Sequence, residues 1–462
     1  MSYETAITRM FALGHELAHT PSHKFDLTHM RVLLAAMEHP EKRFPSVLIA
    51  GTNGKGSTAA TLASILRSSG LKTGLYTSPH LVRINERIRI NGEPINDDDF
   101  ALIHDLVDRT AERLVEEREL PWHPSFFEML TAMAFEHFFR EKVAIAVLEV
   151  GMGGRLDATN VVEPRVSVIT DISLDHQKFL GNTITEIARE KAGIIRAGGT
   201  VVTLPQQPAA NDVIGGTILD RGARAISAVP YVPPVSPAST AYVRSYDPEA
   251  RLQGSFPAFD TQQLFSRYPL LVMGQQILVE TPLIGRHQLR NVALAIATAE
   301  ELKNQQFPIT AEFIERGVRE THWPGRFQVI PSSDNSPTIV MDVAHNPAGA
   351  WALRSTLSSC YEDRRLTFIF GAMRDKAIGE MAEILFPLAE RVVITKADNP
   401  RSATHEEIRT AAVRTAVDFV DAPDVATALR HAKRLMAPQE IIVVTGSIYI
   451  VGEAMRELGL RI

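Results

Sequence analysis

A lysine in a glycine-rich turn between an apolar run and a helix-forming stretch can grip phosphate, and Gly51-Thr52-Asn53-Gly54-Lys55-Gly56-Ser57-Thr58 has that form. Glycines let successive backbone N–H groups face one point, and the start of a helix adds a dipole that favours an anion. Lys55 supplies a point charge for terminal phosphates. Two positions depart from the common phosphate loop: Ile49 stands where its first glycine belongs, and Gly56 follows the lysine in place of Ser or Thr. A plain turn between strand and helix is the bland alternative. The coincidence of strand, lysine and helix argues against it.

A second group of residues could complete phosphate chemistry, which brings anions together and needs metal ions or cations to offset their repulsion. Glu149 ends an apolar run beside Gly151, Gly153 and Gly154. An acid at the carboxyl end of a parallel strand faces the ligand edge of its sheet. Taken alone, Lys191 reads as a helix-surface lysine next to Glu190, Ser78 as part of a Ser-Pro turn, and His176 as a surface group. Arg326 reads as a charge in a hinge, and His345-Asn346 as a helix cap. Phe126 and Phe127 offer aromatic surface for a flat ring, or core packing at the start of an amphipathic helix. No Ser-His-Asp or Cys-His arrangement points to a protein nucleophile.

These groups need a scaffold. Strand-length apolar runs alternate with amphipathic stretches over most of the chain, which predicts a mainly parallel sheet covered on both faces. Strands are expected at Ser46–Ala50, Val143–Val150 and Val166–Thr170, with a helix from about Ser57 to Ser69. Residues 204–282, rich in Pro, Ser, Gly and Gln, read as a variable insertion of short strands and loops. A long helix is expected from His287 to Lys303. A second α/β unit starts near Gln328, with strands at Thr338–Val343, Leu366–Phe370, Arg391–Thr395 and Ile441–Thr445. The expected division is a phosphate-loop domain over 1–323, a hinge over 324–328 and a smaller Rossmann-like domain over 329–462. A ligand cleft is expected between the two.

Composition sets the class. The 462 residues suit two or three domains, and 45% hydrophobic with 22% charged residues is the balance of a globular protein. A net charge of -6 gives no electrostatic case for nucleic acid. The single cysteine, Cys360, excludes an intramolecular disulfide and reads as a small buried hydrophobe. With neither a signal peptide nor a long apolar span in the sequence, a soluble cytoplasmic protein without membrane contact is expected.

The loop GTNGKGST resembles that of the Mur ligase superfamily, most closely the folylpolyglutamate synthase/dihydrofolate synthase family. The likeness continues through Thr77-Ser78-Pro79-His80, Ser125-Phe126-Phe127-Glu128, LEVGMGGRLDATN (Leu148 to Asn160), Asp175-His176 and EKAGI (Glu190 to Ile194). It then runs through His287-Gln288 with Asn291, WPGRF (Trp323 to Phe327) and DVAHNP (Asp342 to Pro347). The family usually has glycine where Val343 stands.

The resemblance implies an ATP-dependent ligase that adds L-glutamate to dihydropteroate or a reduced folate through an acyl phosphate. Lys55, Glu149, His176 and Lys191 would be catalytic. Magnesium, as a pair of ions, would be held through Ser78, Glu149, His176 and a carbamylated Lys191, with a monovalent cation as a further candidate. Asn53, Gly54, Lys55, Gly56, Ser57, Thr58, Asn291, Arg326 and Asp342 would contact ATP. Ser125, Phe126, Phe127, Glu128, Leu156 and Ala158 would contact the pterin-bearing substrate. A monomer is expected. The alternatives are another amino-acid ligase of the superfamily and a regulatory ATPase that ligates nothing. The first normally carries a domain before the loop, where only 50 residues stand here.

Overall fold

Val47 to Ala50 form an unbroken apolar run that needs cover on both faces. In the computed structural model this run lies inside β1 (Ser46–Ala50), a fully buried strand near the middle of an eight-stranded sheet. The structure describes residues 1–14, 26–234, 241–244, 264–332, 337–415, 417–435 and 440–460. The other strands of this sheet are β2 (Thr73–Tyr76), β3 (Ile88–Ile90), β4 (Glu93–Pro94), β5 (Ile145–Glu149), β6 (Val166–Ile169), β7 (Thr200–Thr203) and β8 (Arg224–Ser227). Their order is β4-β3-β2-β5-β1-β6-β7-β8, all running one way except β3, which is antiparallel to both β2 and β4. Chain leaving β1 crosses to β2 on one side, and chain leaving β5 crosses to β6 on the other. The carboxyl ends of β1 and β5 therefore open on a crevice where connections diverge, the usual ligand edge of such a sheet.

Apolar clusters cover both faces. One contains Leu48, Tyr76, Phe100, Phe135 and Leu148; the other contains Val47, Ile49, Leu62, Ile65, Val292 and Ile296. The helix Lys55–Ser68 begins two residues before the expected start, because Gly54 adopts φ 90° and turns the chain directly into it.

The reading of 204–282 as short strands and loops needs correcting. Residues Pro208–Asp220 form a helix, and β8 continues the parallel sheet. Pro208 opens that helix, where its missing N–H costs nothing, and Gly215 and Gly216 sit mid-helix with open space beside them. These three residues made a helix look like a loop. Beyond it, β9 (Ala241–Arg244), β10 (Leu264–Val272) and β11 (Gln275–Thr281) form a small antiparallel sheet. The rest of the expected insertion, 235–240 and 245–263, lies outside the described residues.

Residues 324–327 lead into a second sheet of order β12-β13-β17-β14-β15-β16. It comprises β12 (Gln328–Ile330), β13 (Thr338–Met341), β14 (Leu366–Phe370), β15 (Ala389–Ile394), β16 (Asp418–Asp421) and β17 (Ile441–Thr445), parallel apart from β12. Apolar clusters again lie on both faces, as the α/β pattern requires. Among the described residues no helix is long and apolar enough to cross a membrane.

The helix Ala311–Arg319 crosses the Lys55–Ser68 helix at Gly317, where an added Cβ would come within 2.4 Å of the Ile65 Cα. That neighbour is backbone and cannot rotate away. Gly317→Val should therefore cost about 1–3 kcal/mol, read as a lower urea midpoint with an unchanged m-value. An unchanged midpoint would mean that the two helices are not held in this contact.

Candidate active site

The two sheets meet at a cavity of about 650 Å³ walled by both halves of the chain. The phosphate loop forms its floor. Two of its glycines are required by close neighbours: a Cβ on Gly51 would lie 1.8 Å from Thr170 Oγ1, and one on Gly54 would lie 2.1 Å from Asn291 Oδ1. Asn53, Gly54, Lys55, Gly56 and Ser57 all line the cavity. Thr58 does not. It is fully buried in the helix, and its hydroxyl donates to the Asn291 carbonyl at 3.4 Å, so it fastens Asn291 beneath the loop.

Lys55 folds back over the loop, donating to the Gly51 and Thr52 carbonyls at 3.1 Å each. Lys191 donates to the same Gly51 carbonyl at 2.7 Å. The expectation of a surface lysine, which sequence alone gives for Lys191, is overturned: the side chain is only 4% exposed. The reason is close packing of two glycine-rich segments. A Cβ on Gly154 would lie 2.8 Å from the Glu190 carbonyl, and one on Gly193 would lie 2.4 Å from the Arg155 Cβ. The helix Ile184–Ala192 can thus press against the 151–157 turn and bury the lysine between them. Burial, reinforced by Lys55, lowers the Lys191 pKa to about 7, against the pull of Asp175 and Asp157.

Glu149 ends β5 and accepts the Ser78 backbone N–H at 3.2 Å. Burial pushes its carboxyl up, while Lys55, the Ser78 N–H, Arg326 and Arg87 pull it down. Its donors and those of Ser78 are hard oxygens, which suit magnesium. Among the described residues no three His, Cys, Asp or Glu side chains converge as a complete metal site. An ion bound here would draw most of its shell from phosphate and water, as magnesium commonly does.

His176 caps a short helix in a left-handed conformation, φ 51°. Burial brings its pKa down to about 4, so the ring is neutral near pH 7. Its neighbour Asp175 is the junction of the two halves. From the second domain, Lys376 Nζ pairs with Asp175 Oδ1 at 2.7 Å, and Asn346 Nδ2 reaches Asp175 Oδ2 at 3.3 Å and Asn53 Oδ1 at 3.0 Å. Burial disfavours charge on Asp175, yet His176, Lys376 and His345 together hold its carboxyl well below the ordinary range. Asn346 also caps the helix Pro347–Tyr361 through Gly349 N, so the expected cap is present and one side chain does both tasks.

Arg326 and Asp342 face each other near the connection. Asp342 accepts the Phe327 N–H at 2.8 Å and the Ala344 N–H at 2.9 Å, bracing the chain where β13 ends. Burial lowers the Arg326 pKa, against Asp342 and Glu149. Asn291 is 3% exposed and donates to Gln288 Oε1 at 2.9 Å. Val343, in the position where glycine is usual, packs 3.1 Å from where a Gly325 Cβ would sit.

At the other end of the cavity, Ser125 and Glu128 form a reciprocal capping box on the helix Phe126–Arg140. Phe126 is buried and stacks on Phe11 at 6.0 Å, the core reading of the two raised above. Phe127 is half-buried and fills the space a Gly151 side chain would need. Leu156 and Ala158 line the same end. The sequence reading missed Lys376, Arg290 and Asp171 on the wall, the last two paired at 2.6 Å. A lysine just past the carboxyl end of β14 was the available signal for Lys376.

Comparison with known proteins defines the class. Residues 325–448 match the Mur ligase glutamate ligase domain. The chain is 34% identical over 94% of both lengths to the dihydrofolate synthase/folylpolyglutamate synthase of Bacillus subtilis, and 34% identical to the folylpolyglutamate synthase of Lacticaseibacillus casei over 96% of this chain and 95% of that protein. Among solved structures, the Mycobacterium tuberculosis folylpolyglutamate synthase complexed with ADP superposes with a TM-score of 0.83 at 30% identity, covering 99% of each chain. An FPGS complex with AMPPCP and folate superposes at 0.76 and 30% identity, covering 99% of this chain and 100% of that one. The chain belongs to the folylpolyglutamate synthase/dihydrofolate synthase family, ATP-dependent ligases of the Mur ligase fold.

Gly54→Ala would push Asn291 out of the loop. ATP turnover should fall on the order of a hundredfold, the cost of an error of about 1 Å in positioning, while circular dichroism stays unchanged. Turnover within about twofold of the parent would show that Asn291 is not set by this contact.

Proposed function

We propose that this chain joins L-glutamate to the carboxylate of dihydropteroate or of a reduced folate, consuming ATP and releasing ADP and phosphate. The observation that carries the reading is one cavity in which Lys55, Glu149 and Lys191 of the first domain face Arg326 of the connection and Asp342 and Lys376 of the second.

A carboxylate is a poor electrophile because oxide would have to leave. In the proposed reaction a carboxylate oxygen attacks the γ-phosphorus of ATP and ADP departs, leaving an acyl phosphate. The glutamate amine then attacks the carbonyl, phosphate leaves, and the amine's proton is lost as the amide forms. The loop N–H groups and Lys55 hold the phosphates in line, and the buried walls keep water from the acyl phosphate. Magnesium, held through Glu149 and Ser78 with His176 alongside, would neutralise phosphate charge when bound. Asn291, Arg326 and Asp342 would seat the nucleotide across 324–328, which we take as the hinge between a 1–323 domain and a 329–462 domain. Phe127, Leu156 and Ala158 offer a surface for a flat ring, with Ser125, Glu128 and Phe126 shaping it. All these groups come from one chain, which supports action as a monomer, and ATP consumption supports a cytoplasmic setting.

Lys191 deserves carbamylation on chemical grounds. Its pKa near 7 leaves much of the amine neutral and nucleophilic toward carbon dioxide, and the carbamate would reverse its charge beside Lys55. Lys191→Ala should lose activity and regain part of it in millimolar acetate or propionate, as short acids replace the carbamate. Absence of rescue, with density for a bare ammonium under bicarbonate, would sink the idea.

The reaction itself is tested by ADP release. Release should rise when dihydropteroate or tetrahydrofolate is added together with L-glutamate, with the matching glutamyl product by mass. ATP turnover indifferent to glutamate with either acceptor would leave a regulatory ATPase as the reading.

A further inference from the structure

A second cavity of about 350 Å³ lies between the Lys55–Ser68 helix, the β3–β4 hairpin and residues 320–323. Its size is within the range of small-ligand pockets. No residue on its walls takes part in the reaction proposed above.

Arg89 is the least compensated charge there. It is 6% exposed, donates only to the carbonyls of Glu86 at 3.1 Å and Gly92 at 3.4 Å, and makes no ion pair among the described residues. Burial lowers its pKa, while Glu86 and Glu93 oppose the shift from a distance. A buried guanidinium answered by carbonyls alone remains an attractive partner for an anion.

The other charges on the rim do not fill that role. Arg67 lies 3.6 Å from Glu320 and donates to the Asn91 carbonyl, and Glu93 is exposed to solvent. His322 is exposed at the rim, and partial desolvation and Arg89 both lower its pKa. Two further polar atoms on the walls are buried without a hydrogen-bond partner among the described residues: the Ser64 hydroxyl and the Trp323 indole N–H. Such groups carry a desolvation cost that an incoming acceptor could relieve. Ala60, Ala63 and Leu75 supply the apolar part of the wall.

We propose that this cavity is a second ligand site, taking a small organic carboxylate whose anion meets Arg89 and whose apolar body lies against Ala60, Ala63 and Leu75. Occupancy bears on the nucleotide through Trp323. That ring lies 2.8 Å from where a Gly56 Cβ would sit in the phosphate loop, and the Arg326 guanidinium is 5.9 Å from its centroid. A ligand that shifts the indole therefore shifts both the loop and the connection between domains.

Replacing Trp122 and Trp351 by phenylalanine leaves Trp323 as the only tryptophan of the three in the chain, a reporter on the wall of this cavity. Benzoate is titrated at constant ionic strength, with neutral benzamide as control. The expected result is a saturable change in Trp323 emission with benzoate and none with benzamide. Ala63→Met, which fills the cavity from a half-buried position, should weaken the response about tenfold or more, equal to about 1.4 kcal/mol. Ser64→Val is a second variant that narrows the cavity without touching Arg89. No saturable response, an equal response to benzamide, or a benzoate response unchanged in both variants would overturn the proposal. The readout needs no turnover, so its outcome is separate from that of the ligase assay.

Discussion

Two lysines compete for one carbonyl oxygen. Lys55, half-buried, and Lys191, buried, both donate to the Gly51 oxygen. Burial is the main reason that the Lys191 pKa falls to about 7, and the nearby Lys55 charge adds to the fall. Asp175 and Asp157 oppose that fall, and Glu149 interacts with Lys55. The strand–turn–helix unit and the pressing of the 184–192 helix onto the 151–157 turn together bring the two amines to one oxygen.

Asp175 makes the charge bear on domain position. One carboxylate is shared among Lys376, His345 and Asn346 from one side and His176 from its own. Cavity-lining groups from opposite halves are thus tied to one oxygen pair. Displacing Lys376 from Asp175 would leave a carboxylate next to the phosphate loop, where it repels an anionic ligand. An anion on the loop and the Lys376–Asp175 contact would therefore act on one another through short-range Coulomb forces.

Much of this could be read from the chain. The apolar runs at 46–50, 366–370 and 441–445 are strands with the expected ends, because a buried parallel strand must be apolar throughout. The phosphate loop announced itself through glycine and lysine next to such a run. Other features lie in packing that no local pattern encodes. Lys191 sits on a helix with charged neighbours, and only Gly154 and Gly193, far apart in sequence, bring the surface that buries it. Asp175 and Lys376 meet across 201 positions. The helix at 208–220 was hidden by Pro208, Gly215 and Gly216, whose local preferences oppose a helix that the sheet beneath it supports.

The cover over one face of the first sheet has a consequence for biosynthesis. The face carrying Val47 and Ile49 is closed by the helix Arg286–Asn304, whose Asn291 meets Thr58 across 233 positions, and by the Ala311–Arg319 helix. A ribosome that has released the phosphate loop and every strand up to β8 has this face covered by the Lys55–Ser68 helix alone, with apolar surface still open beside it. Until residue 319 emerges, the nascent chain is an attractive client for a holdase chaperone, and premature termination in this interval would yield a sticky fragment instead of a working half-enzyme.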